Sequence, residues 1–281
     1  MNNINSSEGS QVFTVIGSGG FVGSNLVKYL RSLGHVCNTP AKDDISILTQ
    51  PLSNVIYCAG VTSDFRIRPF DTIEAHVSLL SRILERGDFQ SLVYLSSTRI
   101  YIHSDSTNEN SPILTKVNDP EDLFNLSKLL GESICLNSGR KNVRIARLSN
   151  VLGNDFESGN FVFSLLREAN ATGNINLFST LDSEKDYVHI QDVLELLLKI
   201  SLTGRNSIYN VASGQNQNNQ MILEKINESI PLKIHISETA RTIRFRPIEI
   251  RRIQDEFNFS PRSILDLIPE LANQFMDDVR L

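Results

Sequence analysis

Residues Val12-Phe13-Thr14-Val15-Ile16 form a β-branched and aromatic apolar run that breaks at once into Gly17-Ser18-Gly19-Gly20-Phe21-Val22-Gly23. No other stretch constrains the fold as tightly. Leu26, Val27, Leu30 and Leu33 then recur at helical spacing, which predicts strand, tight turn and helix in immediate succession. Such a helix aims its unpaired first-turn N–H groups and the positive end of its dipole at the end of the strand, which makes an anion site. Gly17 and Gly20 let the backbone turn and approach a pyrophosphate, and Gly23 lets the helix pack closely on the strand, the GxxGxxG arrangement of a dinucleotide fold. The backbone of Gly17, Gly20, Phe21, Val22 and Gly23 is therefore the expected cofactor cradle. No Gly-Lys-Ser/Thr follows, which argues against a phosphate-loop NTPase.

Beyond this turn, strands and helical patterns alternate. His35–Thr39 is a short second strand, and Val55–Gly60 a buried one that ends in small residues, Ala59 and Gly60, across which a cofactor can lie. The stretch between them is compact, and the acid that commonly binds the adenine ribose is hard to place there. Asp43 stands at about the usual distance of ~20 residues from the glycine turn. Its neighbour Asp44 is assigned to the cofactor, while Lys42 equally suits a 2′-phosphate, so NAD and NADP both stay open. Ile73, Val77, Leu80 and Leu84 mark a long amphipathic helix, Leu92–Leu95 a strand ending in Ser96-Ser97-Thr98, Asp122–Asn137 a helix and Val143–Leu148 another buried strand. This alternation predicts an α/β fold, a Rossmann-type doubly wound parallel sheet covered on both faces. After Gly153 the pattern loosens into a helix near Phe161–Ala169, a strand at Ile175–Phe178, a helix at Ile190–Ile200, a strand at Ile208–Val211 and a tail of short elements. The expected division is a dinucleotide-binding domain over 11–153, rejoined by 187–212, and a smaller discontinuous C-terminal α/β substrate-binding part from 154–186 and 213–281. Residues 1–10 are a flexible start.

Composition narrows the partners. Among 281 residues, 27 Lys and Arg stand against 32 Asp and Glu, a net charge of −5, so no basic field recruits nucleic acid or an anionic membrane. The polar start does not resemble a signal peptide, and no apolar run approaches a membrane span, which predicts a cytoplasmic protein. Cys37, Cys58 and Cys135 are odd in number and widely spaced, as suits reduced thiols, and neither they nor the five histidines show metal-ligand spacing. No metal site is expected.

Five segments, in order, resemble the extended short-chain dehydrogenase/reductases of the nucleotide-sugar epimerase/dehydratase family. They are the glycine turn; Tyr94-Leu95-Ser96-Ser97-Thr98-Arg99-Ile100-Tyr101; Phe124-Asn125-Leu126-Ser127-Lys128, similar to the family's YxxxK; Arg147-Leu148-Ser149-Asn150-Val151-Leu152-Gly153; and Lys185-Asp186-Tyr187-Val188-His189-Ile190-Gln191-Asp192-Val193. The resemblance implies NAD or NADP as cofactor, a nucleotide-diphosphate sugar as substrate, and a homodimer built from the helices near Ile73–Glu85 and Asp122–Asn137. It also implies that Lys128 binds the nicotinamide ribose, that Ser97 supplies the hydroxyl to the reacting oxygen, and that Thr98 is the weaker candidate for that hydroxyl. Asn150, Lys185 in place of the usual Arg, and Arg246 are implied around the diphosphate.

One atom is missing. Where the resemblance places a catalytic tyrosine the chain has Phe124, which can neither give nor take a proton. The implied activity is hydride-transfer chemistry on a nucleotide sugar, by 4-keto-sugar reduction or epimerisation, in an inactivated Tyr-to-Phe form. An introduced substitution, a natural enzyme with another proton donor, and a non-catalytic NAD(P)-binding sensor or scaffold all stand open. Thr98-Arg99 replaces the Asp-Glu pair that the family's 4,6-dehydratases use, which disfavours dehydration. His76 is expected to be a buried, satisfied side chain outside the mechanism.

Overall fold

A computed structural model describes residues 9–156 and 160–280. The expected flexible start lies outside the described residues, apart from Gly9 and Ser10. The chain divides into two compact units, the first holding residues 1–100, 115–147 and 194–209, the second 101–114, 148–193 and 210–281.

The first unit is built on a six-stranded sheet. Strand β1 (Val12–Ile16) leads into α1 (Phe21–Ser32), β2 (Val36–Asn38) and β3 (Pro51–Tyr57). A helical stretch follows, α2 (Pro69–Ile73), a π-helical turn over Glu74–Ser78, and α3 (Leu79–Arg86), before β4 (Asp88–Ser97). Helix α4 (Asp122–Asn137) and β5 (Val143–Leu148) have the bounds that the sequence predicts. The sheet order is β2-β1-β3-β4-β5-β9, where β9 is Ile208–Val211. β1 pairs in parallel with both β2 and β3, and β3 with β4. The chain thus steps one way from β1 and then back past it, so the crevice of an open α/β sheet opens at the carboxyl ends of β1 and β3. Val55, Tyr57, Leu80, Ile83, Leu92 and Tyr94 form its core.

The π-helical turn has a visible cause. An i→i+5 turn leaves carbonyls without helical partners, and here the Tyr57 phenol donates to the Ala75 carbonyl at 2.6 Å while the Tyr94 phenol donates to that of His76 at 3.2 Å. Two tyrosines on neighbouring strands thus satisfy the disrupted turn from the sheet side.

The second unit holds β6 (Asn150–Leu152), α5 (Phe161–Thr172), β7 (Asn174–Ser179), β8 (Glu184–His189), the first turn of α6 (Ile190–Thr203), β10 (Asn216–Asn218), α7 (Asn219–Asn227), β11 (Lys233–Arg241), α8 (Arg251–Phe257) and α9 (Ile264–Arg280). β10, β8 and β6 form one small sheet, and β11 and β7 another. Phe163, Leu166, Tyr187, Ile222, Ile226 and Ile268 lie at the centre of its core.

These boundaries differ from the expected ones in three places. Residues 101–114 belong to the second unit, because Thr107 and Asn108 are hydrogen-bonded to Pro247 and Glu249, and Glu109 to the Asn210 backbone. Residues 148–153 do too, since β6 pairs with β8. The return to the main sheet is shorter than 187–212, because 187–189 are held by β6, leaving 194–209. The tail is also not made only of short elements, for α9 runs 17 residues and carries Pro269 inside it.

Candidate active site

The turn after β1 has the geometry of a phosphate cradle. Gly17 has φ 83°, and a Cβ there would fall 2.5 Å from the Ala59 nitrogen; one on Gly23 would fall 2.3 Å from the Gly17 carbonyl oxygen. Both positions therefore require glycine. α1 starts after Gly20 with no side-chain cap and no acid in its first turn, so the amides of Phe21, Val22 and Gly23 have no side-chain acceptor competing for them. The Cys58 N–H bonds to the Ile16 carbonyl at 2.8 Å, which sets the small residues Ala59 and Gly60 beside the turn. These residues fit a dinucleotide pyrophosphate. Asp44 lies beyond the end of β2 and caps the short 3-10 helix Ile45–Leu48, its carboxylate accepting from the Ser46 amide at 2.9 Å; hydrogen bonds from the Ser46 hydroxyl first, then from that amide, lower its pKa.

Lys128 is the central cation. It lies on the buried face of α4, 5 % exposed, and its Nζ donates to the Leu95 carbonyl on β4 at 2.8 Å. The same nitrogen lies 5.1 Å from the Tyr94 ring centroid and 5.9 Å from that of Phe124. A Cβ on Gly60 would sit 3.5 Å from it and 3.1 Å from His76 Nε2, so the β3 end, the π-helical turn and α4 converge there. Burial depresses the Lys128 pKa to about 7, partly countered by Glu132 one turn on.

His76 is fully buried and satisfied. Its Nε2 accepts the Val61 N–H at 3.2 Å, and Nδ1 lies 2.8 Å from Ser127 Oγ, which in turn donates to the Phe124 carbonyl. Because Nε2 is an acceptor, the ring is neutral with its proton on Nδ1. Burial first, then the Lys128 charge, holds its pKa down at about 2.

Ser97 closes β4 two residues after Leu95, and its hydroxyl oxygen accepts the Arg99 N–H at 3.2 Å. Thr98 is buried in the 3-10 turn that follows, Thr98–Tyr101. Phe124, also buried, packs its ring against Phe65 at 5.5 Å and edge-on to His76 at 5.4 Å. The Arg99 guanidinium lies 5.4 Å from the Phe65 centroid and 5.9 Å from that of Phe124. Arg99 also bonds to Glu121 at 2.8 Å, and Glu121 takes both forks of Arg66, whose hydrogen bonds hold the Glu121 pKa down at about 2. Sequence reasoning read Arg99 only as a missing carboxylate and passed over Phe65 and Glu121. An aromatic and a charge in the loop after β3 were the available signals. The Tyr101 hydroxyl is committed elsewhere, to Asn210 at 2.9 Å within the second unit.

The second unit holds the remaining expected residues. Lys185 lines a cleft of about 140 Å³ with Phe161, Ser183, Asn219 and Phe245, its Nζ 5.0 Å from the Phe161 centroid. The Asn150 amide bonds to the Asp186 carbonyl next to Lys185 at 2.8 Å. Arg246 follows Phe245 in the chain but turns its guanidinium to the Ser104 carbonyl and to Asp105, outside the residues that line the cleft.

The NAD dependent epimerase/dehydratase family model matches residues 13–212. The chain belongs to that family. Solved structures show the same fold: RMD from Pseudomonas aeruginosa, complexed with NADPH, superposes with TM-score 0.77 at 22 % identity over 96 % of this chain and 98 % of that one. MoeE5 in complex with UDP-glucose and NAD gives 0.78 at 16 % identity over 97 % and 100 %, and a UDP-galactose 4-epimerase 0.77 at 18 % over 95 % and 99 %. No curated protein matches the sequence significantly. As an epimerase/dehydratase-family chain it has the family's fold, with Lys128 on α4, the Ser97 hydroxyl at the end of β4 and the Phe124 ring in its first unit.

Proposed function

We propose that the chain is an NAD(P)-dependent nucleotide-sugar oxidoreductase or epimerase that works by hydride transfer at one sugar carbon, in a form inactivated by Phe124. The Lys128 ammonium carries this reading. It has three donors, is buried, and among the described residues gives one hydrogen bond, to the Leu95 carbonyl. A buried ammonium left with spare donors is costly unless a ligand accepts from it, and ribose hydroxyls beside the Gly17–Gly23 cradle supply that acceptor. RMD holds NADPH, and MoeE5 holds NAD with UDP-glucose, which supports the same pairing here.

A bound nicotinamide dinucleotide supplies or accepts the hydride. Lys128 orients the ribose and places a positive charge near the reacting oxygen. Ser97, whose oxygen already accepts the Arg99 amide, keeps its own proton to donate to the sugar oxygen. Asn150 and Lys185 are the proposed ligands of the diphosphate, joined by Arg246 once its guanidinium leaves Ser104 and Asp105. Phe124 packs the site without moving a proton, so binding survives while turnover suffers. Loss of a general acid/base costs about 10²–10⁴-fold in rate. In assays with NADH and NADPH against nucleotide sugars and their 4-keto forms, Phe124→Tyr should raise turnover by roughly that factor. No gain, with cofactor still bound, would refute the enzyme reading and leave a non-catalytic cofactor-binding protein.

A further inference from the structure

Arg99 is held at one place by three different contacts. Its backbone N–H bonds to Ser97 Oγ, its guanidinium lies over the rings of Phe65 and Phe124 at 5.4 and 5.9 Å from their centroids, and one terminal nitrogen bonds to Glu121. Glu121 is shared. Both of its oxygens also accept from Arg66, so two guanidinium charges face one carboxylate and a positive charge is left over. Arg99 Nε is buried and has no hydrogen-bond partner among the described residues. A guanidinium cannot relieve this by losing its proton, and an unmet buried donor is destabilising. Phe124, which lacks the hydroxyl of a tyrosine, offers it no acceptor. Three facts coincide one residue from the Ser97-Thr98 hydroxyl pair: a fixed orientation, an uncompensated charge and an unused donor.

We propose that Arg99 is the receptor for a carboxylate on the sugar ring, so that the chain prefers nucleotide-linked uronic acids to the neutral hexoses. This rests on the nucleotide-sugar reading above. A sugar hydroxyl could satisfy Nε, but it would leave the charge unanswered, whereas a carboxylate answers both through a charge-assisted hydrogen bond. The two aromatic rings that lie together beside the guanidinium limit its hydration on that side and strengthen that contact.

UDP-glucose and UDP-glucuronic acid differ at carbon 6 alone, CH2OH against carboxylate, and serve as the probes. Both are titrated calorimetrically into the full chain with NAD present, together with the corresponding dTDP pair. The uronic acid is expected to bind about 10–100-fold more tightly than its neutral partner, the worth of one charge-assisted hydrogen bond. Arg99→Gln should bring that ratio to about one, and Arg99→Lys, which keeps the charge but not the Nε donor, should leave an intermediate ratio. Equal affinities in the unaltered chain, or a preference that survives in Arg99→Gln, would overturn the proposal. Should Arg99→Gln fail to fold, judged by its melting with NAD, the ratio in Arg99→Lys decides, and an undiminished ratio there counts against it. If NAD binds and no nucleotide sugar does, the nucleotide-sugar reading fails first and this inference goes with it.

Discussion

Two guanidinium–carboxylate clusters in the first unit use the same chemistry to opposite ends. In one, Arg147 on β5 and Glu132 on α4 are 3 % and 4 % exposed, and the guanidinium meets both carboxylate oxygens at 2.6–3.2 Å while Ser96 adds a donor at 2.5 Å. In the other, Arg66, Arg99 and Glu121 are 29–49 % exposed, two cations share one anion, and a buried donor is left over. The first cluster is saturated and has nothing to offer a ligand, so it acts as a brace between helix and sheet. The second is electrically incomplete and lies against the ring of Phe124, as suits a place where a ligand completes the structure.

The sharpest way to break this contrast is to remove one partner of the buried pair. Glu132→Leu leaves the Arg147 charge uncompensated in the interior, and the expected loss is about 3–5 kcal/mol of stability in urea unfolding. The double variant Glu132→Leu/Arg147→Met should recover most of that loss, because the desolvation cost disappears along with the pairing. A double variant as unstable as the single one would mean that packing, not charge, holds α4 to β5.

Lys128 stands between the clusters, one turn before Glu132 and near the Phe124 ring, and pH reveals which it resembles. Its folded pKa of about 7 lies below the ordinary 10.5. Between those values the unfolded chain holds a proton that the folded chain has released, so this group makes stability rise with pH across the window. The gain is complete above 10.5 and is lost as pH falls toward 7. The slope reaches about 1.4 kcal/mol per pH unit. Denaturant midpoints of the ligand-free chain from pH 6.5 to 10 should show it, and Lys128→Met should abolish it. An unchanged slope in Lys128→Met would place the lysine with the saturated brace.

Much of this was legible in the sequence, for physical reasons that also mark where legibility stops. The β1 turn, α4 and β5 are legible because each is specified locally, by glycines or by an apolar period over one continuous stretch. The π-helical turn is not. Ile73, Val77, Leu80 and Leu84 keep a helical spacing through it, and its stabilisers, Tyr57 and Tyr94, lie on distant strands. β8 does not show as a strand in the sequence, since Lys185 and Asp186 interrupt its apolar run and its pairing comes from Asn150–Leu152 and Asn216–Asn218. In the site, Lys128 and Ser97 could be located by motif. The charge balance around Arg99 could not, because it depends on Glu121 and Arg66 meeting across more than fifty residues of chain.

The smallest effect tests the other side of the contrast. The Arg66–Glu121 fork is nearly half exposed at both ends, so water and salt screen it, and its deletion in Arg66→Ala should change stability by less than about 1 kcal/mol. Glu121 keeps Arg99 as partner, and with Arg66 gone one cation faces one anion. The excess charge beside Phe124 is then removed without touching the guanidinium that lies against the ring. Any advantage of a uronic acid over a neutral sugar should therefore shrink in Arg66→Ala while the unfolding midpoint barely moves. A loss of several kcal/mol would instead mean that the Phe65 loop depends on this fork for its fold, and that the two clusters differ in exposure more than in purpose.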